Sequence, residues 1–450
     1  MNTPLVRVIV LTFDGGQMTL DCLDSLLATD WPADRLQIVV VDNGSLDDVA
    51  DRVRAEYPQV TLLEPLVNLG FAGGCNLGMR LPGQHEFIAL VNNDATVERT
   101  WLRPLVHVAD SAEDIGAVSP KMVFADRFLG VDLTVPGVST SKRGKPEKGV
   151  RVSGARIDGV RADDRVSFNE DFYGADQPDL ETDEELARWT CGRGSIHIAV
   201  DPGTALPQCL SLRLSNVERR IVTLSSEASQ QTIATDSEAE WFDIHLEGEP
   251  FDVINNVGSN LYRGGFGGDR GFLERDLGQY EQPAEVFAWC GGAVLLKRAY
   301  LEQVGLFDEQ LFLYYEDTDL SWRGRLRGWR YMFEPTAVVR HRHAQSSGVG
   351  SPTFRFYTER NRLLVLAKNA PARLALRAGL GEIRRFVRSA LSGYIGRPIR
   401  LQMPERRVPA HRRRVLISYL RLLPAMLRER RATEPVVSRR HLMTSWEVTK

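Results

Sequence analysis

Cysteine is scarce in this chain. The 450 residues include five, Cys22, Cys75, Cys191, Cys209 and Cys290, odd in number and without metal-ligand spacing. That excludes a disulfide framework and a cysteine-bound zinc, and the five read as reduced, mostly buried thiols. Long apolar runs are also missing, since none approaches the roughly 18 residues that span a bilayer. The polar start MNTPLVRVIV lacks a signal-peptide pattern, so the expected location is cytoplasmic. Neither G-x-G-x-x-G after the first strand nor G-x-x-x-x-G-K-S/T occurs, which argues against a dinucleotide enzyme and a P-loop ATPase. Lysine is absent from residues 371–440, where 18 arginines face four glutamates. This is a surplus of 14 positive charges within a net charge of −3, so the remaining residues carry −17. A basic tail on an acidic body calls for an anionic partner, a membrane surface or nucleic acid.

What is present reads as an α/β protein. An apolar content of 43% with 26% charged residues is that of a soluble globular chain, and its length requires two or three domains. VRVIVL (6–11), Gln37–Val41, Val60–Leu63 and Phe87–Val91 are predicted strands, separated by helical spacing at Leu20, Leu23, Leu26, Leu27 and at Val49, Ala50, Val53. This alternation predicts a doubly wound, mostly parallel, Rossmann-like sheet with its polar loops gathered at one edge. The run IALVNND (88–94) is the centre of that reading. An apolar strand covered on both faces ends abruptly in Asn92, Asn93 and Asp94, at the carboxyl edge where such sheets place ligands. Asp94 can hold a hard divalent cation, or it can cap the helix predicted over Trp101–Val108 or form an Asx-turn. Asp42 can accept hydrogen bonds from a pyrimidine or ribose, and Gly70 and Gly73 can let backbone amides approach phosphate.

The series VIVLTFDGG, VVVDNGS, NLGFAGGCN and LVNND, followed by GLFDEQLFLYYEDTDLSWR, resembles the family 2 inverting glycosyltransferases of GT-A fold. Within them it most resembles the bacterial rhamnosyltransferase-like branch. The resemblance covers about residues 5–124 and 250–369. It implies that Thr12, Asp42 and Asn68 contact a nucleotide, with Gly70 and Asn93 in the same nucleotide-sugar site, and that Asn92 and Asp94 occupy the metal and diphosphate position. Relatives often carry two or three acids there, whereas this chain has Asn, Asn, Asp. The resemblance also brings the first histidine of RHRHAQSS, His341, to the metal, where a nitrogen ligand favours Mn²⁺ alongside Mg²⁺. His343 shares its face if the strand over Ala337–Arg340 continues.

Inverting transfer needs one base, and the resemblance assigns it to Asp317, with Glu316 as the substitute candidate. The plainer reading is that Asp317 and Asp319 cap a helix ended by Gly328. Arg360, Asn361 and Arg362 are candidate contacts to diphosphate or acceptor.

Four segments follow. Residues 1–125 are the nucleotide-sugar half of a GT-A domain, 126–249 an inserted β-sandwich-like domain, 250–369 the acceptor and catalytic half, and 370–450 a basic helical tail. The insert binds acceptor glycan or braces an oligomer, and the bracing role is favoured because it has no motif. The tail lies on an anionic leaflet, near a lipid-linked acceptor, or forms a helical hairpin or dimer interface; nucleic acid is disfavoured, since no recognition motif accompanies the charge.

The expected function is metal-dependent inverting transfer of a sugar, favoured as rhamnose from dTDP-rhamnose with a UDP-sugar as the other donor, to a cell-envelope glycan or lipid-linked acceptor. A sugar-nucleotidyltransferase would need basic residues in its glycine-rich first loop, which LTFDGGQMT lacks. A non-catalytic glycan-binding or scaffold protein with an inert transferase core is the alternative from another class.

Overall fold

The computed structural model describes residues 3–138, 147–169, 171–173, 187–201, 203–227, 229–342, 351–392 and 407–448. His343 lies outside them. The chain forms two compact units: residues 1–122, 256–270 and 280–450, and residues 123–255 with 271–279.

The first unit is built on a mixed sheet. Strands β1 (Val6–Thr12), β2 (Leu36–Asp42), β3 (Thr61–Leu63) and β4 (Phe87–Asn92) alternate with helices α1 (Gly16–Leu27), α2 (Val49–Glu56) and α3 (Gly70–Arg80). They pair in parallel in the order β3-β2-β1-β4. Val8, Val10, Val40, Ala89 and Val91 are buried against Leu20, Leu23 and Leu26 of α1. Leu27, one position round the helix from Leu26, is exposed. Apolar residues on both faces of a strand require cover on both faces, and right-handed crossovers supply it.

Later segments extend this sheet, apart from one hairpin that lies in a separate sheet. After β5 (Ala95–Val97), α4 (Leu102–Asp110) and β6 (Ile115–Phe124) come the hairpin strands β7 (Ser259–Tyr262) and β8 (Phe266–Asp269), then β9 (Ala284–Glu285), β10 (Ala293–Lys297) and β11 (Arg330–His341). The sheet order is β9-β11-β6-β10-β4-β1-β2-β3, with β5 on β11. Strand β10 runs antiparallel to both β4 and β6. It is the one reversal within an otherwise parallel run from β3 to β6, and sequence periodicity carries no sign of strand direction. Helices α5 (Arg298–Val304), α6 (Glu316–Leu326), α7 (Pro352–Asn369), α8 (Ala372–Leu391), α9 (Arg407–Ala432) and α10 (Arg439–Trp446) complete the unit.

The arginine-rich tail is integral to this unit. Val415, Tyr419 and Met426 of α9 and Leu442 of α10 share one core with Trp322, Leu363 and Leu366. The chain then returns to the hairpin, where β12 (Glu447–Val448) pairs in parallel with β7.

The second unit is an antiparallel sandwich. One sheet orders Val166–Phe168, Arg193–Val200, Arg127–Thr134, Arg220–Ser225 and Gln230–Thr235, and the other Arg188–Trp189, Arg151–Ile157, Cys209–Ser215 and Glu240–His245. Leu129, Val131 and Leu133 alternate inward to meet Leu210, Leu212 and Leu214, the period of two that gives each strand one buried face.

Candidate active site

The parallel register places Thr12 beside Asp42 and Leu11 beside Asn92, so three predicted site positions end at one carboxyl edge. Thr12 and Thr19 hydroxyls lie 2.8 Å apart, and the Asn93 amide donates to each at 3.3 Å. Asp42 is buried and accepts from the Ser45 backbone N–H at 3.0 Å and from its hydroxyl. Asn43 donates to Asn68 Oδ1 at 3.0 Å and accepts from the Leu69 N–H at 2.9 Å.

The glycine-rich turn closes on the protein itself. The Gly70 amide donates to Asn68 Oδ1 at 2.8 Å, and the Ala72 amide to the Phe312 carbonyl at 3.2 Å. A Cβ on Gly70, whose φ is +71°, would lie 2.5 Å from that same carbonyl oxygen. This close approach gives Gly70 a packing reason beside any role toward phosphate. Gly70→Ala is therefore expected to lose about 1–3 kcal/mol of stability in a denaturant melt, from positive φ and steric overlap together.

Asp94 does not cap α4, whose N-cap is Trp101. The pairing of β5 with β11 sets His341 opposite Ala95. His341 Nε2 is thereby 3.0 Å from Asp94 Oδ1 and 3.4 Å from Asn92 Nδ2, with both Asp94 and His341 buried. Among the described residues no group of three or more His, Cys, Asp or Glu forms a metal cage. One carboxylate and one imidazole nonetheless suit a hard or borderline cation completed by phosphate oxygens and water, the usual way Mg²⁺ and Mn²⁺ are held beside nucleotides.

The second part of the site is the start of α6. Phe312, Tyr314 and Tyr315 all have positive φ, at 64°, 67° and 72°, a conformation costly for aromatic residues. The Asn361 amide donates to the carbonyls of Leu311, Leu313 and Tyr314 at 2.7–2.8 Å, and Arg360 Nη2 to those of Gln310 and Leu311 at 3.0 and 2.8 Å. Both side chains are buried. The expectation that they contact diphosphate or acceptor is thus corrected: they clamp the loop that delivers α6. Arg362 stacks on Phe266 at 3.6 Å and donates to the Gly264 carbonyl.

Three acids in four residues take three environments. Asp319 is fully buried and meets Arg323 at 2.8 Å, Lys368 at 3.1 Å and Asn369 at 2.7 Å. Although burial opposes its charge, Lys368 and Arg323 hold its carboxyl below the usual range. Glu316 is buried, its Oε2 has no hydrogen-bond partner among the described residues, and burial together with the neighbouring Asp317 charge pushes it well above the usual range. Asp317 is half-buried. Burial raises its carboxyl, partly offset by the amides of Gly291 at 3.1 Å and Thr318. Only Asp317 combines access with a raised affinity for protons.

Cys290, Gly291 and Gly292 join the two parts. The Gly291 amide holds Asp317 Oδ2, while the Gly292 carbonyl accepts from the Asn92 amide at 2.9 Å. A Cβ at Gly291 would meet the Phe71 ring at 3.3 Å and Asp317 Cβ at 3.8 Å. Sequence reading missed Lys368 as the partner of Asp319. Its position in the apolar run LLVLAKNA was the available signal, because a lysine buried in a core requires a counter-charge.

Residues 7–148 match the family model described as glycosyl transferase family 2. N-acetylglucosaminyl-diphospho-decaprenol L-rhamnosyltransferase from two Mycobacterium tuberculosis strains, CDC 1551 / Oshkosh and ATCC 25618 / H37Rv, is 35% identical over 111 residues, 23% of this chain. The chain spans 36% of the length of these curated relatives. Among solved structures, GalNAc-T7 with UDP, GalNAc and Mn²⁺ aligns at 12% identity and TM-score 0.48, over 85% of this chain and 51% of that one. Mannosyltransferase PcManGT from Pyrobaculum calidifontis, in complex with GDP-Man and Mn²⁺, aligns at 15% identity and TM-score 0.41, over 93% and 88%. Residues 7–148, which hold the strand edge of Thr12, Asp42 and Asn92, thus identify a glycosyl transferase family 2 domain in this chain.

Proposed function

We propose that this chain is an inverting glycosyltransferase that moves a sugar from a nucleotide diphosphate to a hydroxyl of a cell-envelope glycan or lipid-linked acceptor. The observation that carries the reading is the Cys290–Gly292 connection: one short loop bonds Asp317, the half-buried acid whose carboxyl burial raises, and Asn92, beside Asp94 and His341. Rhamnose from dTDP-rhamnose is the favoured donor. The partial match to an N-acetylglucosaminyl-diphospho-decaprenol L-rhamnosyltransferase supports rhamnose as the sugar and a lipid-linked acceptor.

In this reading residues 1–125 carry the donor and 250–369 the acceptor. Thr12, Asp42 and Asn68 orient the nucleotide, with Gly70 and Asn93 shaping the same edge. The acceptor oxygen forms the new bond to the anomeric carbon as the bond to the diphosphate breaks, and Asp317 takes the hydroxyl proton. The diphosphate leaves with the electron pair. Asp94 and His341 would hold Mn²⁺ or Mg²⁺, which when bound offsets the charge of the leaving diphosphate.

Thermal stabilisation by dTDP and by UDP, each with and without Mn²⁺, tests the donor site. At a hundredfold excess over Kd, the stabilising nucleotide is expected to add about 2.7 kcal/mol, and Asp94→Ala to remove the metal-dependent part. If neither nucleotide stabilises the wild type at millimolar concentration, the donor reading fails and the inert-core alternative takes its place.

A further inference from the structure

We propose that α8 and α9 together form a docking face for an anionic lipid leaflet. On α8, Leu376, Leu380, Ile383, Val387 and Leu391 are 40–64% exposed. Their spacing of three or four residues puts them in one stripe along the helix. On α9, Ile417, Leu420 and Leu427 form a second stripe, 37–59% exposed. The stripes meet at one groove of about 300 Å³, walled by Leu376, Leu380 and Ile383 from α8 and by Leu420, Leu423 and Leu427 from α9. Each helix also has a packed side, since Val415, Tyr419 and Met426 are in the core and Glu382 is buried. The outward stripes are thus surplus to folding.

The charges beside the stripes select the occupant. Arg377, Arg384 and Arg388 on α8, and Arg421 and Arg428 on α9, each follow a stripe residue directly and are exposed. One residue is about 100° of helix rotation, so these guanidinium groups flank the apolar stripes. The carboxylates among the described residues of α8 and α9 are used inside the protein. Glu382 bonds Arg385 and Arg412, and Glu429 pairs with Lys368. A second copy packed on this face by two-fold symmetry would set arginine against arginine with no acid on these helices to relieve it. Anionic headgroups complement the flanks while the aliphatic side chains enter the acyl boundary. The groove gives the proposed lipid-linked acceptor a surface to approach. The docking face rests on that reading only for its purpose, because its geometry and charge stand without it.

The experiment is co-sedimentation of the full chain with vesicles of phosphatidylcholine alone and of phosphatidylcholine with one third phosphatidylglycerol. Binding is expected to the anionic vesicles only and to weaken with salt. The pair Leu380→Asp, Ile383→Asp and the pair Arg384→Glu, Arg388→Glu are each expected to reduce it by roughly tenfold or more, with thermal unfolding and nucleotide stabilisation unchanged. No binding to anionic vesicles, or equal binding by the variants, overturns the proposal. A concentration-dependent dimer that Leu380→Asp, Ile383→Asp dissolves also overturns it and gives the face to a second copy. Loss of vesicle binding with nucleotide stabilisation intact separates failure here from failure of the donor site.

Discussion

Asp317→Asn is expected to lower kcat for sugar transfer by about 10²- to 10⁴-fold, the contribution of a positioned general base. Nucleotide stabilisation should persist, because the carboxylate touches the loop at Gly291 and not the Thr12, Asp42 and Asn68 edge. Asparagine keeps the shape, but its single amide oxygen can replace only one of the two carboxylate oxygens that accept from Gly291 and Thr318, so an unchanged thermal melt of the variant is what assigns the loss to proton removal and not to loosening of the loop. Burial raises the Asp317 carboxyl, and a base must be deprotonated to act. The kcat/KM profile of the wild type should therefore fall on the acid side at a midpoint above the ordinary aspartate value near 3.9. Glu316→Gln is the control: its carboxyl is buried and holds its proton more firmly still. A thousandfold loss in Glu316→Gln with full activity in Asp317→Asn would reverse the two assignments.

Asp319→Ala is expected to cost about 3–5 kcal/mol in a denaturant melt, the range for removing one partner from a buried ion pair. Arg323 and Lys368 are both buried and both bond this carboxylate, at 2.8 and 3.1 Å. The substitution leaves two buried cations with less compensation. Lys368 retains Asp308 at 2.9 Å and Glu429, so the upper end of the range applies to Arg323 more than to Lys368. The pH dependence has a definite sign. The Asp319 carboxyl lies below its ordinary value in the folded protein. Its stabilising contribution is present above the unfolded value near 3.9 and is lost as pH falls through the lower folded value. Melts of wild type and Asp319→Asn should then differ most near neutral pH and converge in strong acid. A constant difference across that window would assign the effect to packing alone.

These two aspartates sit two residues apart in EDTD, and nothing local distinguishes them. Both belong to the first turn of α6, and both suit the helix dipole. Their division of labour is set by partners about 26 and 50 residues away in the chain, Gly291 for one and Lys368 for the other. The same holds for His341, which becomes a neighbour of Asp94 only because β5 and β11 pair across a separation of 247 residues.

The sequence by itself determined the α/β class, the strands running to Leu11, Val41 and Val91, each of which the structure extends by one residue at that end, the stop at Gly328, the β-rich insert and the helical tail. Each depends on a local signal: apolar period, turn glycine or the abrupt change from apolar to amide and acid. Periodicity reports burial and element type, and neither depends on what lies far along the chain. Tertiary structure alone decided that β10 runs antiparallel between β4 and β6. It also turned Arg360 and Asn361 inward as clamps on a positive-φ loop, and brought the C-terminal strand back to the hairpin at Ser259–Tyr262. Those outcomes rest on which distant groups satisfy one another's hydrogen bonds and charges once water is excluded, and chain order does not encode that pairing in any local period.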